Sequence, residues 1–148
     1  MQIDFSEVII SIEERERERL LAMKEDDVSR KPSKDKWSKK EILGHLIDSA
    51  SNNHQKFLRA QFADKLVFPD YSQKEWVETQ DYADENWRLL VELWSAFNLH
   101  LAHVIDRIPP EKLTVQCKIG DDDVITLEGV VAGYVRHMEH HLKQIYED

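Results

Sequence analysis

The sequence predicts an all-α fold, a four-helix bundle with long connections, built as a single domain over residues 1–148. Three observations carry that expectation. Four glycines and four prolines in 148 residues leave few turn signals for a many-stranded sheet. Apolar residues recur at steps of three and four in four long stretches, the period of a helix with one buried face. Two short breaks, at Pro32 and at Pro109-Pro110, and two longer connections, 63–81 and 113–125, fall in the three gaps between those stretches, as in a bundle whose sites are made by side chains on facing helices. A chain of this length buries a sizeable core.

The first helix is expected over residues 4–26. Phe5, Val8, Ile9 and Ile12 sit at helical spacing, and Leu20, Leu21 and Met23 resume it after the run EERERER at 13–19. Alternating signs in that run read as a solvated face with close Glu and Arg pairs. Lys31 to Lys36, KPSKDK, is a linker broken by Pro32.

Trp37-Ser38 opens the second helix, with Ser38 as N-cap and Glu41 three residues on, the spacing of a capping box. Ile42, Leu46, Ala50, Phe57 and Leu58 face a core. Beside that seam runs a second stripe of His45, Ser49, Asn52 and Lys56, held to one side by its steps of three and four. His45 therefore stands at the edge of the buried face, where a satisfied core histidine and a ligand are both open readings.

Residues 63–81 lack a sustained period and contain Pro69-Asp70-Tyr71, so a long loop with one short helical turn near Trp76 is expected. Phe68, Tyr71 and Trp76 would either wall a site or simply pack over the bundle end. The third helix is expected from Tyr82 to Ile108, with Leu90, Leu93, Trp94, Phe97, Leu101, Val104, Ile105 and Ile108 on its buried side. His100 and His103 read as surface histidines, and Pro109-Pro110 ends the helix. Leu113 to Ile125 has alternating β-branched residues around Gly120-Asp121, the pattern of a small hairpin or an irregular arm.

Thr126 caps the final helix, which runs to Tyr146. Its His137 and His141 are four apart, separated on a helix by about 40° and one turn of rise, enough to aim both imidazoles at one atom. The metalloprotease pattern HExxH is absent, because Met138 stands where the glutamate belongs and Glu139 lies about 200° around from His137. His140 is a second-shell group, a polar neighbour or a surface residue. Val130, Tyr134, His137, His141 and Gln144 share one face, where Tyr134 is placed to close a pocket one turn below.

Composition removes several functions. A formal charge of −9 argues against a nucleic-acid footprint, which needs a basic face. No stretch approaches the roughly 18 apolar residues of a membrane span. The single cysteine, Cys117, makes no intrachain disulfide, and the N-terminus lacks a secretory pattern, so a cytoplasmic home is expected. Cys117 lies in the polar stretch QCKIGDDD and reads as a spare exposed thiol.

If the second helix packs beside the last, His45 converges with His137 and His141. Three neutral imidazoles would then leave at least one position open on Zn²⁺, Ni²⁺ or a similar ion, the mark of a catalytic site and not a structural one. Two reactions suit such a site: a low-molecular-weight thiol attacking an electrophile as thiolate, or bound water hydrolysing an amide or ester. Hydrolysis usually wants a positioned general base and none is evident, which favours thiol transfer. A noncatalytic metal-binding helical module is the third possibility.

The segments WSKKEILGHLIDSASNNHQKF (37–57) and TLEGVVAGYVRHMEHHLKQI (126–145) resemble the DinB-like four-helix bundle proteins, particularly the YfiT-like subgroup. The resemblance covers roughly Trp37 to Ile145, including Pro69-Asp70-Tyr71 and Trp76. It places one family histidine on His45 within HLIDS and two on His137 and His141. It implies a bound divalent metal, often nickel or zinc, and frequently a homodimer. Because that superfamily includes thiol transferases using bacillithiol or mycothiol, a metal-dependent S-transferase acting on a small-molecule thiol and an electrophile is expected, with a metal-dependent hydrolase as alternative. Asp48, Asn52, Tyr134 and His140 are the candidates for a second shell or pocket around the three histidines.

Overall fold

The computed structural model describes residues 3–147. In chain order the described elements are α1 (Phe5–Leu21), α2 (Glu25–Ser29), α3 (Lys39–Arg59), β1 (Lys65–Phe68), α4 (Gln73–Gln80), α5 (Trp87–Asp106), β2 (Gln116–Ile119), β3 (Ile125–Thr126) and α6 (Leu127–Ile145). Four of them, α1, α3, α5 and α6, make the bundle: α5 packs on α1 and α3, and α6 packs on α3 and α1. Consecutive long helices α1 and α3 are thus diagonal partners. Fully buried Leu43, Phe57, Trp94, Leu101, Met138 and Leu142 fill the space between the four; burying such a side chain contributes about 1.5–3 kcal/mol.

Side-chain bonds fix the directions. Along α1 and α5, Ser6 Oγ donates to the Ala102 carbonyl (2.8 Å), Ser95 Oγ to Glu13 Oε1 (2.7 Å) and Trp87 Nε1 to the Leu20 carbonyl (2.7 Å), so the pair is antiparallel. Helices α3 and α6 are antiparallel too: Lys39 reaches the Ile145 carbonyl, and further along α3 the Phe57 ring meets Tyr134. By contrast α3 and α5 run the same way, with Gly44 against Tyr82 at one end and His54 against Phe97 farther on. A parallel pair requires the chain to travel back the length of the bundle, which is why residues 60–86 form a long connection.

That connection is more ordered than its weak period suggests. β1 pairs in parallel with β2, from Lys65 opposite Gln116 to Phe68 opposite Ile119, and β2 pairs antiparallel with β3. The expected hairpin at 113–125 is therefore two strands of a three-stranded sheet, its third strand supplied from 48 residues or more upstream. Cys117 is paired beside Leu66 at the sheet centre and is 0% exposed, which corrects the expectation of an exposed thiol. The single turn expected near Trp76 is the two-turn α4, capped by Ser72 accepting from the Glu75 N–H (3.3 Å).

Two helices are shorter than periodicity suggested. α1 stops at Leu21, and the remainder of the expected 4–26 span is a turn leading into α2. α5 starts at Trp87, because Asn86 caps it by accepting from the Leu89 N–H (3.0 Å) while Asp81, at φ 52°, breaks the path from Tyr82. The charged run of α1 is also less solvated than expected. Ile9, Glu13, Glu16 and Leu20 step by four, three and four along the seam, so Glu13 and Glu16 are only 7% and 3% exposed. Buried carboxylates need partners. Glu13 accepts from Ser95, and Glu16 lies 3.5 and 3.6 Å from Arg15 and Arg19. Among the described residues no helix is long and apolar enough to cross a membrane.

Candidate metal centre

The site begins with a cap. Ser38 Oγ accepts from the Glu41 N–H (3.2 Å) and Glu41 Oε1 accepts from the Ser38 N–H (3.0 Å), a complete capping box that starts α3 two turns before His45. Antiparallel α6, capped at Thr126, then carries His137 and His141 past that point. One ligand nitrogen from each of His45, His137 and His141 lies within 4.8 Å of the others. His45 Nε2 and His137 Nε2 are 3.0 Å apart. Metal–nitrogen bonds of about 2.0–2.1 Å place two nitrogens on one ion at most about 4 Å from each other, so this pair fits a shared ion.

The protonation chemistry fits as well. His45 is 0% exposed, and burial, followed by the neighbouring His137 and His141, lowers its pKa from 6.5 to about 3. Burial, then His141 and His140, lowers His137 to about 4. His141 is lowered by burial, against the opposing bond to Gln144. Three neutral rings with lone pairs to offer are the form that binds a transition metal. Left to themselves they satisfy one another poorly: Nδ1 of His45 and Nδ1 of His137 are buried without a hydrogen-bond partner among the described residues. A core histidine kept for packing would have its nitrogens paired.

Two further residues hold the cluster. Gln144 Oε1 lies 2.8 Å from His141 Nδ1, so the ring donates there and keeps Nε2 unprotonated, the usual way an outer partner selects a ligand tautomer. The Trp37 ring sits 5.1 Å from the His45 ring, tilted by 43°. Sequence spacing put Gln144 on the correct face without giving it that role. Trp37, the residue just outside the α3 cap, was readable only as a helix start.

The four expected neighbours are placed differently from one another. Asp48 is buried on α3, its Oδ1 accepting from Gln80 Nε2 (2.8 Å) and Tyr82 Oη (2.7 Å), while Oδ2 has no partner among the described residues. Burial raises its pKa, opposed by those two bonds. Asn52 donates to the Asp48 carbonyl of its own helix (2.9 Å). Tyr134 Oη donates to Asn98 Oδ1 inside the core, beside Phe57, so its hydroxyl is spent between α5 and α6. His140 is exposed, its ring 4.9 Å from that of His141. The Tyr71 and Trp76 rings meet at 5.1 Å, tilted by 58°. Burial, followed by the charges of Asp48 and Asp70, holds the Tyr71 hydroxyl up at about 12. His100 and His103 are exposed on α5, away from the cluster.

The chain is similar to known proteins in sequence and in fold. A sequence description of the DinB superfamily matches residues 12–145. A protein of Halalkalibacterium halodurans is 22% identical over 111 residues, spanning 75% of this chain and 64% of its own length. YfiT of Bacillus subtilis is 28% identical over 120 residues, spanning 75% of this chain and 63% of its own. Both carry the name "Putative metal-dependent hydrolase", and the matches span slightly less than two thirds of those relatives. The solved structure of Bacillus subtilis YfiT, described as having "an unusual four-helix bundle topology", superposes with a TM-score of 0.85 at 18% identity, covering 95% of this chain and 81% of that one.

Proposed function

The chain belongs to the DinB superfamily, and we propose that it is a divalent-metal-dependent thiol S-transferase, joining a low-molecular-weight thiol to an electrophilic small molecule. The observation that carries this reading is the meeting of three neutral imidazoles from α3 and α6, with no carboxylate or cysteine among them. Three protein nitrogens leave a coordination position for a substrate, and imidazole donors suit zinc or nickel. When bound, such an ion supplies Lewis-acid activation of a thiol or of water.

The chain's own residues supply position and charge state. His45, fixed between the Trp37 ring and His137, contributes a ligand that does not titrate near neutral pH. Gln144 keeps the His141 tautomer. In the transfer, the thiol proton leaves to solvent, the sulfur forms a bond to the electrophilic carbon, and the leaving group departs with its electron pair. No base beside the histidines is required for that sequence, which favours it over hydrolysis.

Hydrolysis is the second reading, because the relatives are named for it and because Asp48 Oδ2 is a buried carboxylate oxygen without a partner among the described residues. Incubating the zinc- or nickel-loaded chain with a thiol panel and chlorodinitrobenzene, and separately with p-nitrophenyl acetate in thiol-free buffer, divides the two. Thiol-dependent product above the His45→Ala background supports transfer. Ester cleavage alone supports hydrolysis, and neither rate removes both.

A further inference from the structure

The segment joining α2 to α3 departs from the charge of the rest of the chain. Within a protein of formal charge −9, residues 30–40, RKPSKDKWSKK, hold six basic side chains and one acid. Three of the six are occupied. Lys31 meets Glu41 at 3.4 Å, Lys40 meets Glu25, and Lys39 Nζ reaches the carbonyls of Ile145 and Glu147 at the end of α6. Arg30, Lys34 and Lys36 pair with no acid among the described residues.

Arg30 and Lys36 line a cavity of about 880 Å³, within the range of roughly 300–1,000 Å³ usual for small-molecule sites. Its wall is shared with the histidine cluster: Trp37 lines the cavity and stands 5.1 Å from His45, and Gln144 lines it while holding His141. Asp35 and Glu147 also contribute to the lining, so the cavity is not uniformly basic. With Lys39 committed to the α6 carbonyls, the cations left to meet a ligand are Arg30 and Lys36.

We propose that this cavity is the specificity site for an oxyanion group, a carboxylate or a phosphate, on the small molecule whose reacting end lies at the histidines. The proposal rests on the functional reading above for the identity of that molecule as a thiol, but not for the anion site itself. An arginine fork and a lysine ammonium bind such groups by charge-assisted hydrogen bonds, and the cavity that holds them shares Trp37 and Gln144 with the histidine cluster. The substrate class is therefore an acidic thiol, not a neutral one.

The test uses the full chain, metal-free and metal-loaded, and the variant Arg30→Gln/Lys36→Gln, whose two positions are exposed. Titration calorimetry of the metal-free chain with succinate, with inorganic phosphate and with neutral succinamide reads the anion site without any activity. Saturable binding of succinate or phosphate, absent for succinamide and weakened at least about tenfold in the variant, is the expected result, since losing even one of the two charge-assisted bonds is worth about that factor. Preference between the two anions identifies the group. In the metal-loaded chain, KM for mercaptosuccinate should rise about tenfold in the variant while KM for 2-mercaptoethanol and bound metal stay unchanged. Equal anion affinity in variant and parent, or no saturable anion binding, overturns the proposal. Anion binding lost in the variant of a chain that performs no thiol transfer would instead uphold the site and discard the transferase.

Discussion

His45 Nε2 and His137 Nε2 lie 3.0 Å apart, although the residues are 92 positions apart in the chain and neither ring has a partner for its other nitrogen among the described residues. One facing Nε2 donates to the other, which leaves the two Nδ1 atoms as a buried N–H and a buried lone pair without partners among the described residues, at a cost of about 1–3 kcal/mol. With the proton on Nδ1 in both rings, the two facing Nε2 lone pairs are free for one shared cation. The same burial that makes the pair costly keeps both rings neutral and ready to bind.

The first prediction concerns pH in the metal-free chain. In the unfolded chain His45 and His137 take up protons near pH 6.5, but in the folded chain not until about 3 and about 4. Between those limits the unfolded state binds more protons, so stability rises with pH and is lost progressively as pH falls from 6.5. Burial of Asp48 raises its pKa and acts in the opposite sense nearer the carboxylate range, so the clean window is pH 7 to 5. Urea midpoints should fall across that window, and less steeply in His45→Leu. Parallel slopes for the two proteins would count against a buried neutral His45.

Gln144 is exposed and contributes little to the core, yet it selects the His141 tautomer. Gln144→Ala should weaken zinc binding about 10–100-fold, the usual loss for an outer-sphere partner, with unchanged thermal stability of the metal-free chain. Competition with a chelator of known affinity reads the change. Unaltered affinity would show that the bond does not orient the ring.

Gly44, directly before His45, is required by packing. A Cβ there would fall 2.1 Å from the Tyr82 ring, and that ring is held by its hydroxyl donating to Asp48 at 2.7 Å. Gly44→Ala should therefore destabilise the fold by about 1–3 kcal/mol, as overpacking does, despite the better helix propensity of alanine. Chemical denaturation measures it, and a neutral or stabilising effect would mean that Tyr82 moves freely.

The bundle and the His137–His141 pair were legible because both depend on local spacing, whereas His45, 92 positions from His137, joined them only through the expected packing of the second helix beside the last and the family resemblance. Ser38 and Glu41 announce the start of α3, and a step of four sets His137 over His141 wherever α6 packs. Helix periodicity also placed Leu90, Trp94 and Leu101 inside. What was not legible depends on distant partners. β1 is a four-residue strand whose reason to exist is β2, some fifty residues later, and Cys117 is buried only because that pairing encloses it. Glu13 and Glu16 lie on the seam of α1 and look solvated until Ser95 and the nearby arginines are seen beside them. Gln80 and Tyr82 reach Asp48 from a connection whose return path is dictated by the parallel α3 and α5.

The most direct measurement is elemental analysis of metal per chain after loading with zinc or nickel and desalting, on the parent and on His45→Ala, His137→Ala and His141→Ala, with helicity checked by circular dichroism. About one ion per parent chain is expected, as three convergent imidazoles imply, with loss of the ion from each folded variant. Full occupancy in all three variants would contradict that expectation.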